Sequence, residues 1–178
     1  MKPETLTELE RLQLVNQYTI LEKLDEENTD HWAECKRIVR EGYTIFYNKV
    51  FDPIWEELSY EDCRYVMEVL DLHDALQQSF FKLAEKDGIS ESDVAFHGFS
   101  GNDESHLLCF AGYLRDTGKW QTLLKDKKDL DSHFPTTWRY SAMLETWNAI
   151  GSIDVRHRLS KEQIKDILDE PRKRARKD

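Results

Sequence analysis

The chain has 178 residues, with 35 acidic and 25 basic side chains and a formal net charge of −10 at pH 7. This length fits one globular domain, and the acidic excess disfavours broad nucleic-acid binding, because phosphate contacts need a cationic surface. No apolar run approaches the roughly 20 residues that span a bilayer, and the N-terminus lacks a signal-peptide pattern, so we expect a cytoplasmic protein with no membrane contact.

Two helices are predicted at the beginning of the chain. Thr5–Glu8 fits a capping box, in which a hydroxyl is followed three residues later by a carboxylate, and apolar residues at helical spacing continue to about Leu24. Asn28–Asp30 supplies capping side chains for a second helix, which Gly42 is placed to end in a left-handed turn.

The longest predicted helix follows an ambiguous stretch. Tyr43–Phe51 is aromatic and fits either helix or loop, and Asp52 before Pro53 is typical of the start of a short turn through Trp55 and Leu58. Ser59–Asp62 then opens a helix that is expected to run to about Lys86. A helix of this length is typical of the spine of a bundle.

Three further helices are predicted in the second half of the chain, and residues 119–134, rich in lysine and aspartate, are expected to form an exposed loop between two of them. The first is expected to begin at Asn102 or Asp103 and to end at Gly118. The second begins at Pro135–Thr137 and ends at Gly151, and the third begins at Ser160–Gln163 and ends near Pro171.

These elements predict an all-α fold, a compact multi-helix bundle of six or seven helices with one long central helix. Residues 1–170 are expected to form a single helical domain. Residues 171–178 hold five Lys or Arg and one acid, and we expect them to form a flexible basic tail.

The loop Phe96–Glu104 concentrates glycines, aromatics and polar groups ahead of a helix, which is typical of a functional loop. No phosphate-binding glycine motif occurs in it, and Gly98–Gly101 lacks the last glycine of a nucleophile elbow because Asn102 stands there. Its glycines have a simpler use, to let the chain turn tightly into the next helix. The candidate binding residues around this loop are His97, Phe99, Ser100, Asn102, Glu104 and His106.

No metal site and no cofactor is predicted. His31 with Cys35, and His106 with Cys109, each share a helix face, but a zinc site needs three or four ligands. His73 lies on the apolar face of the long helix and is the best buried titrating candidate, with a core histidine as the favoured interpretation.

Two other features indicate contacts with partners. The basic residues of the tail could touch nucleic acid or an acidic partner: Arg172, Lys173, Arg174, Arg176 and Lys177. Aromatic residues crowd the second half of the chain, Phe134 and Trp138 among them, and most are expected in the core. Any that remain exposed as a patch would mark a surface for a partner or for self-association.

Several segments in order resemble the bacterial YfbU family. They are Leu14–Leu21, Ile38–Tyr43, Phe96–Phe99 leading to Glu104, Trp138 with Tyr140 to Trp147, and Leu159–Ser160. The resemblance covers roughly residues 6–169. It implies a small helical cytoplasmic protein of undefined biochemical activity, with one reported association with toxin-linked cell death or stress. It supplies no catalytic residues.

Three hypotheses of function follow. The first is a protein-interaction or regulatory module in a stress response, self-associating into a homodimer or higher oligomer, with an unidentified protein partner possible. The second is an enzyme with a cryptic site built from His97, Ser100, Asn102, Glu104 and His106. The third is nucleic-acid contact through the basic tail alone.

Overall fold

The computed structural model describes residues 5–52, 54–86, 88–151 and 156–175. Over these residues the chain is helical and forms no β-strand, so the all-α prediction is confirmed; one isolated parallel bridge joins Phe99 to Asp131. The chain divides into two compact units, Met1–Glu57 and Leu58–Asp178. None of the described helices is both long enough and apolar enough to cross a membrane.

The first unit is built on two helices, α1 (Glu8–Leu24) and α2 (Thr29–Glu41). A capping box begins α1, but it is formed by Thr7 and Glu10, two residues later than predicted, and Thr7 has the extended backbone that is typical of an N-cap. Gly42 ends α2 with a left-handed φ of 73°, as predicted.

Arg11 of α1 holds the end of α2. Its Nε donates to the carbonyl of Val39 at 2.8 Å and its Nη2 to that of Arg40 at 2.5 Å, so a cation lies at the negative end of the α2 dipole. Thr44–Phe46 forms a 3₁₀ turn before α3 (Tyr47–Phe51). The buried apolar residues of this unit are Tyr18, Cys35, Ile38, Val39, Tyr47 and Val50.

The expected turn through Trp55 and Leu58 is absent from the structure, which has no helix over residues 54–59. Pro53, on which that prediction depended, lies outside the described residues.

The second unit is organised around α4 (Tyr60–Lys82), the longest described helix, which confirms the prediction of one long central helix. Ser59 caps it by accepting a hydrogen bond from the backbone of Asp62 at 3.0 Å. The helix ends four residues before the predicted Lys86, because Leu83 takes an extended backbone. Nine of its side chains are buried, His73 and Leu76 among them.

The second unit has five further helices whose two ends both lie among its described residues: α5 (Glu91–Val94), α6 (Ser105–Asp116), α7 (Gln121–Leu124), α8 (Thr137–Asn148) and α9 (Lys161–Arg174). Counted over the described residues, six helices of the chain have 12 residues or more, as predicted. The last helix was expected to end near Pro171. It continues for three more residues, to Arg174, and Pro171 is buried within it.

The expected exposed loop at 119–134 is wrong in its first half. Leu123 and Leu124 form the buried side of α7, and Leu130 is also buried. Trp120 donates a hydrogen bond from Nε1 to Asp71 of α4 at 2.8 Å, which fixes the segment to the central helix. Two adjacent leucines are too short a run to show helical periodicity, so the charged residues around them dominated the sequence pattern.

We expect Leu124→Ala to lower the free energy of unfolding by about 2–5 kcal/mol, because a fully buried leucine would leave a cavity. The exposed neighbour offers a control, and Lys125→Ala should change stability by no more than about 0.5 kcal/mol. Urea denaturation followed by circular dichroism measures both. Equal small effects would mean that this segment does not belong to the core.

Candidate functional site

The loop singled out by the sequence is a tightly bonded corner between α5 and α6. Gly98 has a φ of 90°, and an added Cβ would lie 1.8 Å from the carbonyl oxygen of Leu130. The bridge beside it consists of two hydrogen bonds, from the amide of Phe99 to Leu130 at 3.0 Å and from the amide of Ser132 to Phe99 at 3.1 Å. The corner therefore requires glycine for both its backbone conformation and its close approach.

Glu104 is buried, and its carboxylate is the centre of the corner. It accepts hydrogen bonds from the backbone of Ser100 at 2.9 Å, from the backbones of Thr136 and Thr137 at 2.8 Å each, and from the Thr136 hydroxyl at 3.0 Å. Thr136 is the N-cap position of α8 and makes no side-chain cap of its own. Glu104 thus caps α8 from another part of the chain.

This arrangement corrects the predicted role of the loop in starting α6. Neither Asn102 nor Asp103 occupies the N-cap position, which is Glu104, and Glu104 turns away from its own helix. Asp103 instead pairs with Ser100, whose hydroxyl donates to its carboxylate at 2.8 Å. The reason is the geometry of the corner, which brings the free N–H groups of α8 within reach of Glu104.

The protonation state of Glu104 follows from its neighbours. Burial raises the pKa of this carboxyl, but the hydrogen bonds from Ser100, Thr137 and Thr136 outweigh that effect and leave the pKa below its ordinary value of 4.5. The side chain is therefore ionised at neutral pH, held by charge-assisted hydrogen bonds.

An aromatic cluster supports the corner from beneath. The ring of Tyr140 lies 5.9 Å from that of Phe96 and 5.7 Å from that of Phe99, centroid to centroid. Its hydroxyl donates to the carbonyl of Gly98 at 3.1 Å and accepts from the amide of His97 at 3.2 Å. Burial raises the pKa of Tyr140 to about 12, so the hydroxyl keeps its proton.

His73 is a core residue, as the sequence favoured. Its Nδ1 lies 3.1 Å from the carbonyl oxygen of Val94 and therefore carries the proton, while Nε2 has no partner among the described residues. Burial lowers the pKa of His73 to about 3, so the imidazole is neutral. Its ring packs 5.1 Å from that of Tyr140, which makes it part of the aromatic support.

A groove of about 360 Å³ lies on the outer side of the corner, and we call it the corner groove. Its lining includes His97, Phe134, Trp138, Arg139 and Arg172. Phe134 and Trp138 are each 55 % exposed, so two large aromatic side chains meet solvent beside two arginines. This is the exposed aromatic patch that the sequence left open as a partner surface.

The lining of the corner groove holds two arginines and one acid, Asp93, although the chain as a whole is acidic. Arg139 makes no hydrogen bond or ion pair with any described residue, whereas Arg172 lies 3.8 Å from Asp93. The carboxylate of Asp93 is already engaged by Ser90, through the backbone at 2.8 Å and the hydroxyl at 2.6 Å. Arg139 therefore offers a guanidinium whose donors are open to a ligand.

His97 is neutral at the edge of this groove. Partial burial lowers its pKa; a hydrogen bond to the Ser92 carbonyl at 3.0 Å acts against that, and the charge of Arg139 lowers the pKa further. Because the carbonyl can only accept, Nε2 carries the proton and Nδ1 is left as an acceptor.

The six loop candidates do not converge on one site. Phe99, Ser100 and Glu104 are buried in the corner, and Asn102 is exposed. His97 lines the corner groove, whereas His106 lines a separate depression of about 410 Å³ together with Glu104 and Asp103. The constellation required by the enzyme hypothesis is therefore divided between two surfaces.

The tail candidates are also divided. Arg172 lines the corner groove, Lys173 lies 3.9 Å from Asp166, and Arg174 pairs with Glu145 at 2.7 Å and with Glu170 at 2.9 Å. Arg176 and Lys177 lie outside the described residues. Over the described residues no group of three potential metal ligands assembles.

Sequence reasoning missed Arg139. The only signal was its position between Trp138 and Tyr140, where a cation interrupts two aromatics near the start of a helix. The other residues that line the groove come from α5, from the loop before α8 and from α9. Because these segments are far apart in the chain, no local sequence pattern marks the groove.

Glu104→Gln should lower the free energy of unfolding by about 1–3 kcal/mol at pH 7, because an amide NH₂ would face N–H donors. Folding lowers the pKa of Glu104. The contribution of this side chain to the free energy of unfolding is therefore complete above its pKa in the unfolded chain, and it is lost as the pH falls through its pKa in the folded chain. The difference between wild type and variant should therefore shrink below about pH 4.5, as urea titrations at several pH values would measure. Glu68→Gln, at an exposed ion pair, is the control.

A matched pair of glycine variants tests the corner itself. Gly98→Ala should cost more than about 3 kcal/mol or prevent folding, because the Cβ would overlap the Leu130 carbonyl. Gly112→Ala, in α6 with open space around it, should add about 0.5–1 kcal/mol. Thermal unfolding distinguishes them, and a tolerated Gly98→Ala would contradict the described corner.

Comparison with known proteins gives one consistent family. The model of the YfbU domain matches residues 4–170. A UPF0304 protein of Methanocaldococcus jannaschii is 34% identical over 169 residues, which cover 92% of this chain and 98% of the relative. A UPF0304 protein of Actinobacillus succinogenes is 30% identical over 164 residues, with the same coverage. The similarity extends through both compact units.

Proposed function

The chain belongs to the YfbU family, and from that premise we propose that it is a protein-interaction module whose corner groove binds an acidic segment of a partner protein. The observation that carries the proposal is Arg139, an arginine that makes no hydrogen bond or ion pair with the described residues, beside the exposed rings of Phe134 and Trp138. The cellular setting, a regulatory role in a cytoplasmic stress or toxin-linked response, is implied by the resemblance alone and forms part of the proposal.

The chemistry of the groove favours a carboxylate as the bound group. A guanidinium presents its donors in a planar fork that matches a carboxylate with two parallel hydrogen bonds. The aromatic rings beside it can cover the apolar part of a peptide, and interface positions are enriched in tryptophan and arginine. An acidic segment with an apolar or aromatic neighbour fits both features.

The charge distribution favours a peptide over nucleic acid. A nucleic acid needs several phosphate contacts at once, whereas Arg139 is the one groove arginine that forms no hydrogen bond or ion pair within the described part of the chain, although its charge acts on Asp93. Lys173 and Arg174 are directed to acids of their own unit. A single carboxylate makes no such demand, and the acidic surface elsewhere on the chain would repel a longer polyanion.

The proposal is tested with pools of short peptides passed over the immobilised full chain. One pool carries glutamate at a fixed central position and the other glutamine, with all residues allowed elsewhere. We expect the wild type to retain the glutamate pool at least about tenfold better, since a charge-assisted pair is worth one to two powers of ten in affinity. Mass spectrometry of the eluted peptides measures the ratio.

Arg139→Gln should abolish the preference for glutamate, and Trp138→Ala should reduce the retention of both pools. Arg64→Gln removes the same charge from an exposed ion pair on α4 and should leave the preference unchanged. Equal retention of the two pools by wild type, or an undiminished preference in Arg139→Gln, would contradict the proposal. Stronger retention of single-stranded DNA than of the glutamate pool would favour nucleic acid instead.

A further inference from the structure

The first helix has two apolar faces, and among the described residues only one of them is packed against another helix. One face packs against α2 through side chains that include Leu14, Tyr18 and Leu21. The opposite face carries Leu9, Leu12, Ile20 and Leu24, which are between 57 and 77 % exposed. This second set does not depend on the corner groove, which is part of the other unit.

The exposed residues form one continuous stripe. An α-helix turns about 100° per residue, so the steps from 9 to 12, 16, 20 and 24 return to nearly the same side. Asn16, which is exposed, fills the central position of this series. We call Leu9, Leu12, Asn16, Ile20 and Leu24 the α1 stripe.

We propose that the α1 stripe is the contact through which two copies of this chain pair, with their α1 helices antiparallel across a two-fold axis at Asn16. Leu12 lies four residues before Asn16 and Ile20 four after it, so Leu12 of each copy contacts Ile20 of the other copy. Such self-complementarity is what a two-fold interface requires, because the same surface must serve both copies.

The charges along the helix favour the antiparallel direction. Glu8 lies eight residues before Asn16 and Lys23 seven after it, so antiparallel pairing brings the Glu8 end of one copy to the Lys23 end of the other. A parallel arrangement would set Glu8 against Glu8 and Lys23 against Lys23. The other acids of α1 are less available, since Glu10 is bonded to Thr7 and Glu22 to Lys36.

Asn16 fixes the register of the pair. Two asparagine amides at a two-fold axis can donate and accept reciprocally, whereas a shift of one helical turn would bury each amide against a leucine or isoleucine. A polar residue at the centre of an apolar stripe commonly specifies alignment at some cost in affinity.

The pairing is expected to be weak by itself. A helix of 17 residues is about 26 Å long, and one helix face of that length buries less than the roughly 800 Å² per partner of a standard interface. We therefore expect a dissociation constant of about 1–100 µM, and a sedimentation coefficient of the full chain that rises with concentration over this range.

Leu12→Glu and Ile20→Glu should each weaken dimerisation by at least about tenfold in sedimentation equilibrium, because each would bury a carboxylate against apolar side chains. Met67→Glu is the matched control, since Met67 is an exposed apolar residue on α4 of the second unit. Circular dichroism verifies that each variant is folded. A full chain that stays monomeric at about 200 µM, which is above the whole expected range of dissociation constants, or a dimer that neither stripe variant weakens, would overturn the proposal.

A charge exchange tests the direction without changing the apolar stripe. Glu8→Lys alone and Lys23→Glu alone should each weaken the dimer about threefold or more at low salt, and the double exchange should restore it. Cysteine oxidation tests the register in a Cys109→Ser background, because Cys109 is exposed. Asn16→Cys should form a disulfide-linked dimer and Leu9→Cys should not, whereas cross-linking of both would contradict the antiparallel arrangement.

Discussion

A buried carboxylate fixes the centre of the second unit. Glu104 could lie in the protein interior as an anion only if hydrogen-bond donors replaced its hydration, and two segments supply them. The loop contributes the amide of Ser100, and the start of α8 contributes two amides and a hydroxyl. One side chain thus joins the end of the corner, the beginning of α6 and the beginning of α8.

The location of the corner groove follows from that constraint. Because Glu104 fixes Thr136 and Thr137, the next two residues, Trp138 and Arg139, are presented at a defined place on the first turn of α8. Tyr140 then returns to the interior, where its hydroxyl holds the opposite side of the corner. The buried and exposed residues at the start of α8 are therefore consequences of one arrangement.

The sequence predicted what depends on local periodicity and missed what depends on distant contacts. The long helix α4 was predicted because its apolar residues repeat at helical spacing over 23 residues. The sequence marks Glu104 only as a candidate binding residue of the loop, since the partners that its carboxylate caps lie 32 and 33 residues away. Leu124 was assigned to an exposed loop for the same reason, and Arg139 has no local pattern that marks it. Of the residues that form the corner and its groove, the sequence marked His97, Phe99, Ser100 and Glu104 but not Arg139.

The bridge beside Gly98 also has a consequence for the order of folding. Phe99 and Leu130 are joined only after the intervening chain, including α6 and α7, has brought its two ends together. Closing a loop of this length has an entropic cost that precedes any gain from the contact. Before this loop closes, Glu104 and the first amides of α8 are hydrated and do not stabilise the fold. The closure of this loop and the capping of α8 are therefore expected to occur in the same step.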